Sequence, residues 1–191
     1  MHPSSTLLDP DYRVPVPDVG DRGMAWLRSH VARFSEGPDH VRRRELVVGL
    51  LSDLDADPRP GEDPTACLLR TLGRPASFAA DVASIALAYH PHLPTTPEAD
   101  AAVERFVDEY GERSETVAAV ICVLVQAHAG THALIGALRD GDDRAPVPAT
   151  RRIAPGGEVV EVDLADAHFG RGAHACPGEA LGRRLAEAAL T

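Results

Sequence analysis

One cysteine in a glycine-rich stretch, residues 169–178, is the residue of this chain best suited to do chemistry. Pro177 suits the first position of a helix and strong helix formers follow it, so the sequence predicts that Cys176 caps a helix N-terminus. Unpaired N–H groups and the helix dipole would there lower the pKa of the thiol and favour the thiolate. Gly170, Gly172 and Gly178 permit a tight backbone path around the sulfur. Such a thiolate is either a nucleophile or a metal ligand.

The spacing around this cysteine is typical of a heme-binding motif. Phe169, Gly172, Cys176 and Gly178 fit the pattern Phe-x-x-Gly-x-x-x-Cys-x-Gly, and His174 is a basic residue two positions before the cysteine. The stretch resembles the cysteine loop of the cytochrome P450 family, whose thiolate is the proximal ligand of heme iron. The resemblance implies heme b bound by this loop with Cys176 as the metal ligand, Phe169 against the heme and His174 reaching a propionate. The alternative is a buried structural cysteine at a helix start.

Composition sets the outer bounds. The 191 residues are 44% hydrophobic and 25% charged, which is ordinary for one globular domain. The formal net charge of −10 disfavours nucleic-acid binding, because there is no basic surplus to displace counterions. Three widely spaced cysteines argue against a disulfide framework and a zinc ribbon. Because neither a signal region nor an apolar run of membrane length is apparent, we expect a cytoplasmic protein without membrane contact.

Apolar periodicity predicts a mainly α fold. We expect a single heme-binding domain over residues 1–191, in which the proline-rich residues 1–20 form an irregular arm. Residues 158–164 alternate as a strand does, so a small strand pair or hairpin is expected near residues 150–165. Predicted helices cover residues 24–34, 40–54 with Asp39 as cap, 65–72, 78–89, 96–110, 114–138 and the segment after Pro177.

A second block, residues 34–47, resembles the C helix of bacterial cytochromes P450. His40 and Arg44 are four residues apart and therefore lie on one helical face. The resemblance implies that both grip a heme propionate, and an arginine fork suits a carboxylate. Taken alone, this pair is equally well explained as a solvated basic face.

The predicted helix over residues 114–138 resembles the I helix of the family, which crosses the distal face of the heme. Ala129 and Gly130 stand where the family has an acid–alcohol pair, with Thr131 one position further on. Loss of that pair puts ordinary oxygen activation in doubt, so we expect a catalytic set of His128, Thr131 and His132. The alternatives are a solvated histidine, a core histidine, or a zinc pair that lacks a third ligand.

A third block, residues 146–159, resembles the segment after the K helix of the family, where an arginine contacts a propionate. Arg151 or Arg152 is the candidate for that contact. Too few residues precede this block to hold a K helix with its Glu-x-x-Arg pair, so the resemblance, which runs in blocks from about Trp26, implies a trimmed cytochrome P450 core. A homodimer or a partner protein, redox or biosynthetic, would replace the missing bracing.

Three functions follow from this resemblance. The first is a heme-thiolate oxidoreductase of the monooxygenase or peroxygenase type, which acts on a small organic, biosynthetic substrate by peroxide-driven or non-oxygenase chemistry. The second is a non-catalytic heme binder or sensor, in which a histidine closes the sixth iron position. The third is a remnant that binds a partner and no heme.

Overall fold

The computed structural model describes residues 1–142 and 145–191. Seven α-helices and one antiparallel strand pair lie in these residues, which confirms the predicted mainly α fold with a small strand pair. In chain order the elements are α1 (Gly23–Ser29), α2 (Gly37–Asp53), α3 (Pro64–Thr71), α4 (Phe78–Leu87), α5 (Pro97–Tyr110), α6 (Glu115–Asp140), β1 (Ala149–Ile153), β2 (Val159–Asp163) and α7 (Glu179–Ala189).

Side-chain caps fix where several helices begin. The Asp63 carboxylate accepts from two N–H groups at the start of α3, Thr96 caps α5 and Ser114 caps α6. Helix α2 begins at Gly37, so the prediction that Asp39 caps it was wrong; Asp39 lies in the first turn and pairs with Arg42 instead. The predicted helix over residues 24–34 ends at Ser29 and is followed by a 3₁₀ turn, Ala32–Phe34.

Helix α6 is the centre of the fold. It packs against α2, α3, α4, α5 and α7, and residues 117–125 of α6 are all buried. Its length and apolar composition would suffice to cross a membrane, so the expectation of no apolar run of that length was wrong. However, 56% of the apolar window is buried inside the protein, as in the core helix of a globular domain.

The N-terminal arm is tied to the rest of the chain by backbone pairing. His2 bridges to Val162 of β2, and Arg13 exchanges two backbone hydrogen bonds with Ile153 of β1. Between them a 3₁₀ turn, Ser4–Leu8, contacts the turn Gly172–His174 next to Cys176. The arm therefore braces the cysteine loop from within the same chain.

This bracing gives the first prediction. Leu7 packs against an apolar cluster formed by Ala145, Leu164 and Ala167, whereas the neighbouring Leu8 is 61% exposed. Leu7→Asp should lower the free energy of unfolding by about 2 kcal/mol, because it places a carboxylate in that cluster. Leu8→Asp should change it by less than about 0.5 kcal/mol. Urea denaturation measures both, and equal effects of the two changes would contradict the docking of the arm.

Candidate cofactor-binding site

A cavity of about 860 Å³ separates the cysteine loop from helix α6. Its volume is in the upper part of the range of about 300–1,000 Å³ that is usual for small-molecule sites. Most of its lining is apolar. Charged and titratable groups also reach it, and Cys176 lines the same cavity as Ala129 and Gly130 of α6.

Backbone hydrogen bonds close the cysteine loop. The Cys176 N–H donates to the Phe169 carbonyl at 2.7 Å, and the Gly170 N–H donates to Ala167 at 2.7 Å. Gly170 and Gly172 have φ angles of +74° and +68°, which other residues rarely adopt. The glycine requirement predicted from the sequence therefore applies at both. Gly178 has a φ of −101°, so its conformation requires no glycine.

Helix α7 begins at Glu179 with Gly178 in the capping position, so the prediction that Cys176 caps this helix was wrong. Burial raises the pKa of the Cys176 thiol, although the Gly178 N–H and the charge of Arg44 act in the opposite direction. The protein atoms around the sulfur cause this rise in pKa. The residue is nevertheless exposed, because it lines the open cavity. The prediction of a lowered thiol pKa is therefore wrong for the protein atoms alone, and a positive group bound at the sulfur, such as a metal ion, would favour the thiolate.

Helix α2 presents His40 and Arg44 to the cavity from one face, as the spacing predicts. One Arg44 guanidinium nitrogen donates to the Ala175 carbonyl, which ties α2 to the cysteine loop. His40 is 8% exposed, its ring lies 4.0 Å from that of His174 between centroids, and its Nε2 atom is buried with no hydrogen-bond partner. An unpaired buried nitrogen is costly, so a ligand group is expected there.

Three arginines of the cavity wall lack a carboxylate partner among the described residues: Arg33, Arg44 and Arg152. Arg33 donates to the Thr150 hydroxyl at 3.1 Å, and Arg152, which is 4% exposed, donates to the Arg151 carbonyl at 2.8 Å. Burial and then the charge of Arg33 lower the pKa of Arg152 to about 10. Such a cluster is expected to hold an anion.

The structure separates the two candidate arginines of β1. Arg151 is half-exposed and lies 3.7 Å from the Glu161 carboxylate of β2, its register partner. Arg152 is buried; burial and then the charge of Arg33 lower its pKa, and burial together with the charges of His40, Arg152 and Arg33 lowers the pKa of His174. Arg152 is therefore the better candidate for a propionate.

Helix α6 brings Thr131 to the cavity, but His128 and His132 are not among the cavity-lining residues. The His128 Nδ1 atom lies 2.8 Å from the Thr65 hydroxyl, and the His132 Nε2 atom lies 2.8 Å from the Asp63 carboxylate. Both histidines therefore face the start of α3, which argues against a role for them in the cavity. No group of three metal-ligating side chains lies in residues 1–142 and 145–191, so this pair has no third zinc ligand there.

Phe169 lines the cavity and is held by its own contacts. It packs against Leu134, Ile135 and Ala186, and the Arg183 guanidinium lies 4.7 Å from its ring centroid. This fixed ring beside the cysteine suits the flat apolar face of a porphyrin.

Sequence reasoning missed Arg33, His90 and His92, all of which line the cavity. Arg33 lies in the 3₁₀ turn that replaces the end of the predicted first helix. The run His90-Pro91-His92 had a detectable signal, since two histidines around a proline mark a polar turn.

Comparisons with known proteins agree with this architecture at the level of the fold. No protein-family model matches the sequence, and no curated protein matches it. Several solved structures are similar, including the following three. The first is P450BioI in complex with an acyl carrier protein ligated to hexadec-9Z-enoic acid, with a TM-score of 0.65 and 14% identity over 98% of this chain and 81% of that chain. The second is the cytochrome P450 enzyme CxnD for C–S bond formation in chuangxinmycin biosynthesis, with a TM-score of 0.60 and 17% identity over 98% of this chain and 76% of that chain. The third is ligand-free CYP164A2 of Mycobacterium smegmatis, with a TM-score of 0.60 and 20% identity over 98% of this chain and 80% of that chain. The chain therefore has a cytochrome P450-like fold.

The cysteine loop provides a paired test of its backbone. A Cβ atom at Gly172 would lie 2.9 Å from the Leu7 carbonyl oxygen, whereas one at Gly178 would meet only Leu51 at 3.8 Å. Gly172→Ala should cost at least about 1–2 kcal/mol, because it adds this clash to a left-handed backbone. Gly178→Ala should cost less than about 1 kcal/mol. Thermal unfolding of both variants checks the difference, and equal melting temperatures would contradict the loop geometry.

The stability of the heme-free protein should depend on pH through His90. Burial, followed by the charges of Arg33, His92, Arg151 and Arg28, lowers the pKa of His90 from 6.5 to about 4. Between these values the unfolded state binds more protons, so acidification from pH 6.5 to 4 lowers the free energy of unfolding. His90→Gln should remove up to about 1.4 kcal/mol per pH unit of that loss.

Urea denaturation at several pH values measures this slope. The same change at the exposed His168 serves as the control. An unchanged slope in His90→Gln would contradict the assignment.

Proposed function

We propose that this cavity binds heme b with Cys176 as the axial thiolate ligand. One observation carries the proposal. A cysteine, three arginines without carboxylate partners in the described chain, and the unpaired Nε2 atom of His40 all line the same cavity. This donor set suits a group that has a thiophilic metal at its centre and carboxylates at its edge.

The propionates account for the buried charge. Arg44 and Arg152 each offer N–H groups to a carboxylate, Arg33 lies beside them, and the orphaned His40 nitrogen supplies a further contact. His174 stacks near His40 and lies 3.8 Å from the Glu36 carboxylate, so it belongs to the same cradle. Gly170 shapes the loop through its positive φ, and the Gly178 N–H donates to the Cys176 sulfur.

We further propose a heme-thiolate oxidoreductase that acts on a small organic substrate. Heme with thiolate ligation supplies oxidative chemistry, including cleavage of an O–O bond. In the same cavity, Ala129 and Gly130 leave space for a substrate, and the mostly apolar lining limits competing water. Thr131 follows Gly130 directly in α6, lines the cavity and is 3% exposed. Its hydroxyl can hold a proton there.

An acidic partner for Thr131 is missing from the cavity-lining part of α6 in the described chain. For that reason we favour peroxide as co-substrate over dioxygen with an electron-transfer chain. The second candidate function is a non-catalytic heme binder, which the same missing acid favours. A sensor closed by His128 or His132 is disfavoured, because both imidazoles face α3.

A partner protein and a cytoplasmic location belong to this proposal. P450BioI, one structural neighbour, was solved with an acyl carrier protein bound. For this chain we propose a carrier, a redox protein or a second copy of the chain as the partner. Sedimentation of the purified protein would detect a homodimer.

Heme uptake gives the decisive prediction. Cys176→Ala should abolish the thiolate-type absorption band of the reduced carbon monoxide complex, because the other cysteine of the cavity, Cys122, is buried and its sulfur already accepts hydrogen bonds from Tyr89 and Gln126. Cys67→Ala is the matched control, since Cys67 is fully buried in α3 and does not line the cavity. It should keep that band.

The outcomes separate the alternatives. A wild-type protein that takes up no heme would refute the proposal and leave the partner-binding remnant. Heme uptake with the thiolate band, together with peroxide-dependent oxidation that falls in Thr131→Val and survives in Thr131→Ser, supports the oxidoreductase. Heme uptake without any turnover supports the non-catalytic binder.

A further inference from the structure

A turn in the cavity wall presents two imidazoles that the heme site does not require. The Leu93 N–H donates to the His90 carbonyl at 2.9 Å, which closes a turn over His90-Pro91-His92-Leu93. Pro91 occupies the second turn position, where its fixed φ is favourable. The two imidazole rings lie 5.4 Å apart between centroids. Among the described residues, no ring nitrogen of His90 or His92 has a hydrogen-bond partner.

A buried arginine holds this turn in place. Arg28 of α1, 8% exposed, donates to the carbonyls of Ala88, Tyr89 and Leu93 on both sides of the turn. These contacts satisfy the guanidinium but pair it with no carboxylate. Because one buried arginine makes all three contacts to this turn, the two imidazoles are held in a fixed position.

Arg151 of β1 lies on the same part of the cavity wall. Its nearest acid, Glu161, is 3.7 Å away, which is longer than a hydrogen bond, and the Arg151 side chain is 40% exposed. Burial lowers the pKa values of His90 and His92, and the charge of Arg151 lowers them further. Glu161 pairs with Arg151 at a distance too long for a hydrogen bond, so the N–H groups of the guanidinium remain available to a ligand.

This group adjoins the heme cradle but consists of other side chains. The rings of His40 and His174 lie together beside the cysteine loop, 4.0 Å apart between centroids, whereas the rings of His90 and His92 lie together on the turn. Burial and then the charge of Arg33, a member of the cradle, lower the pKa of His90, so the two groups are neighbours. If propionates occupy the cradle, Arg151 and the two histidines of the turn remain available.

We propose that Arg151, His90 and His92 form a subsite for the carboxylate of the substrate, so that the substrate is a small organic acid with an apolar body. The reaction of this substrate rests on the proposed function, whereas binding of its carboxylate does not depend on that function. The arginine fork binds the carboxylate, and the imidazoles donate N–H groups to it. Glu161 lies close enough to repel a dianion, so a monoanion is favoured over a phosphate. The apolar lining accommodates the rest of the molecule.

Calorimetric titration tests the subsite on protein with and without heme. The probes are decanoate and 2-naphthoate, each compared with its primary amide. Wild-type protein should bind at least one acid more tightly than its amide. Arg151→Gln should weaken that binding by about 10- to 100-fold, as for loss of a charge-assisted hydrogen bond, and leave the amide unchanged. Arg151→Lys should restore part of it, and the double change His90→Gln with His92→Gln should weaken it.

Two controls locate the effect. Arg59→Gln removes one exposed positive charge that does not line the cavity and should change nothing. Arg44→Gln in the heme-free protein tests whether the acid binds in the propionate cradle instead. If acid binding falls with Arg44→Gln and not with Arg151→Gln in the heme-free protein, the acid occupies the propionate cradle and the subsite is refuted.

The remaining outcomes are decisive. The subsite is also refuted if neither acid binds more tightly than its amide, or if Arg151→Gln leaves the preference intact. Failure of heme uptake refutes the proposed function alone, because the heme-free titrations still report on Arg151.

Discussion

Positive charge without its counter-charge is the constraint on which this structure depends. Arg33, Arg44 and Arg152 converge on one cavity, and burial lowers the pKa values of all three. Such burial is expensive unless an anion is present, and no carboxylate of the described residues pairs with them. A dianionic ligand would therefore stabilise the folded chain by binding it selectively, so ligand binding and folding are coupled.

The same constraint explains how a short chain closes a large cavity. Arg44 holds the cysteine loop through the Ala175 carbonyl, and the N-terminal 3₁₀ turn covers the loop from outside at Gly172. The strand pair is extended by His2 and Arg13, so that the arm and β1 form one wall. These contacts replace, within one chain, part of the bracing that the sequence led us to assign to a dimer or a partner protein.

Local sequence signals predicted what depends on local physics. Capping side chains, apolar spacing and the helix formers after Pro177 located all seven helices, and the Cys176 motif together with the His40–Arg44 spacing located two parts of the cavity lining. The capping position of Cys176 was wrong because the chain completes a turn at Pro177 and Gly178 before α7 begins. Helix propensities do not locate the start of a helix to within two residues.

The direction in which the α6 histidines point could not be predicted from spacing, since it is decided by a neighbouring helix. Asp63 caps α3 and also reaches His132, while Thr65 reaches His128, so one helix start draws both imidazoles away from the cavity. The cavity then receives its imidazoles from elsewhere: His40, His168 and His174 near the cysteine, and His90 and His92 on the Arg28-held turn. The central helix contributes apolar residues together with Cys122, Gln126 and the Thr131 hydroxyl, and the Cys122 sulfur accepts hydrogen bonds from Tyr89 and Gln126. No charged side chain of α6 lines the cavity among the described residues, so the wall that this helix forms is mostly apolar, which a flat cofactor and an apolar substrate both require.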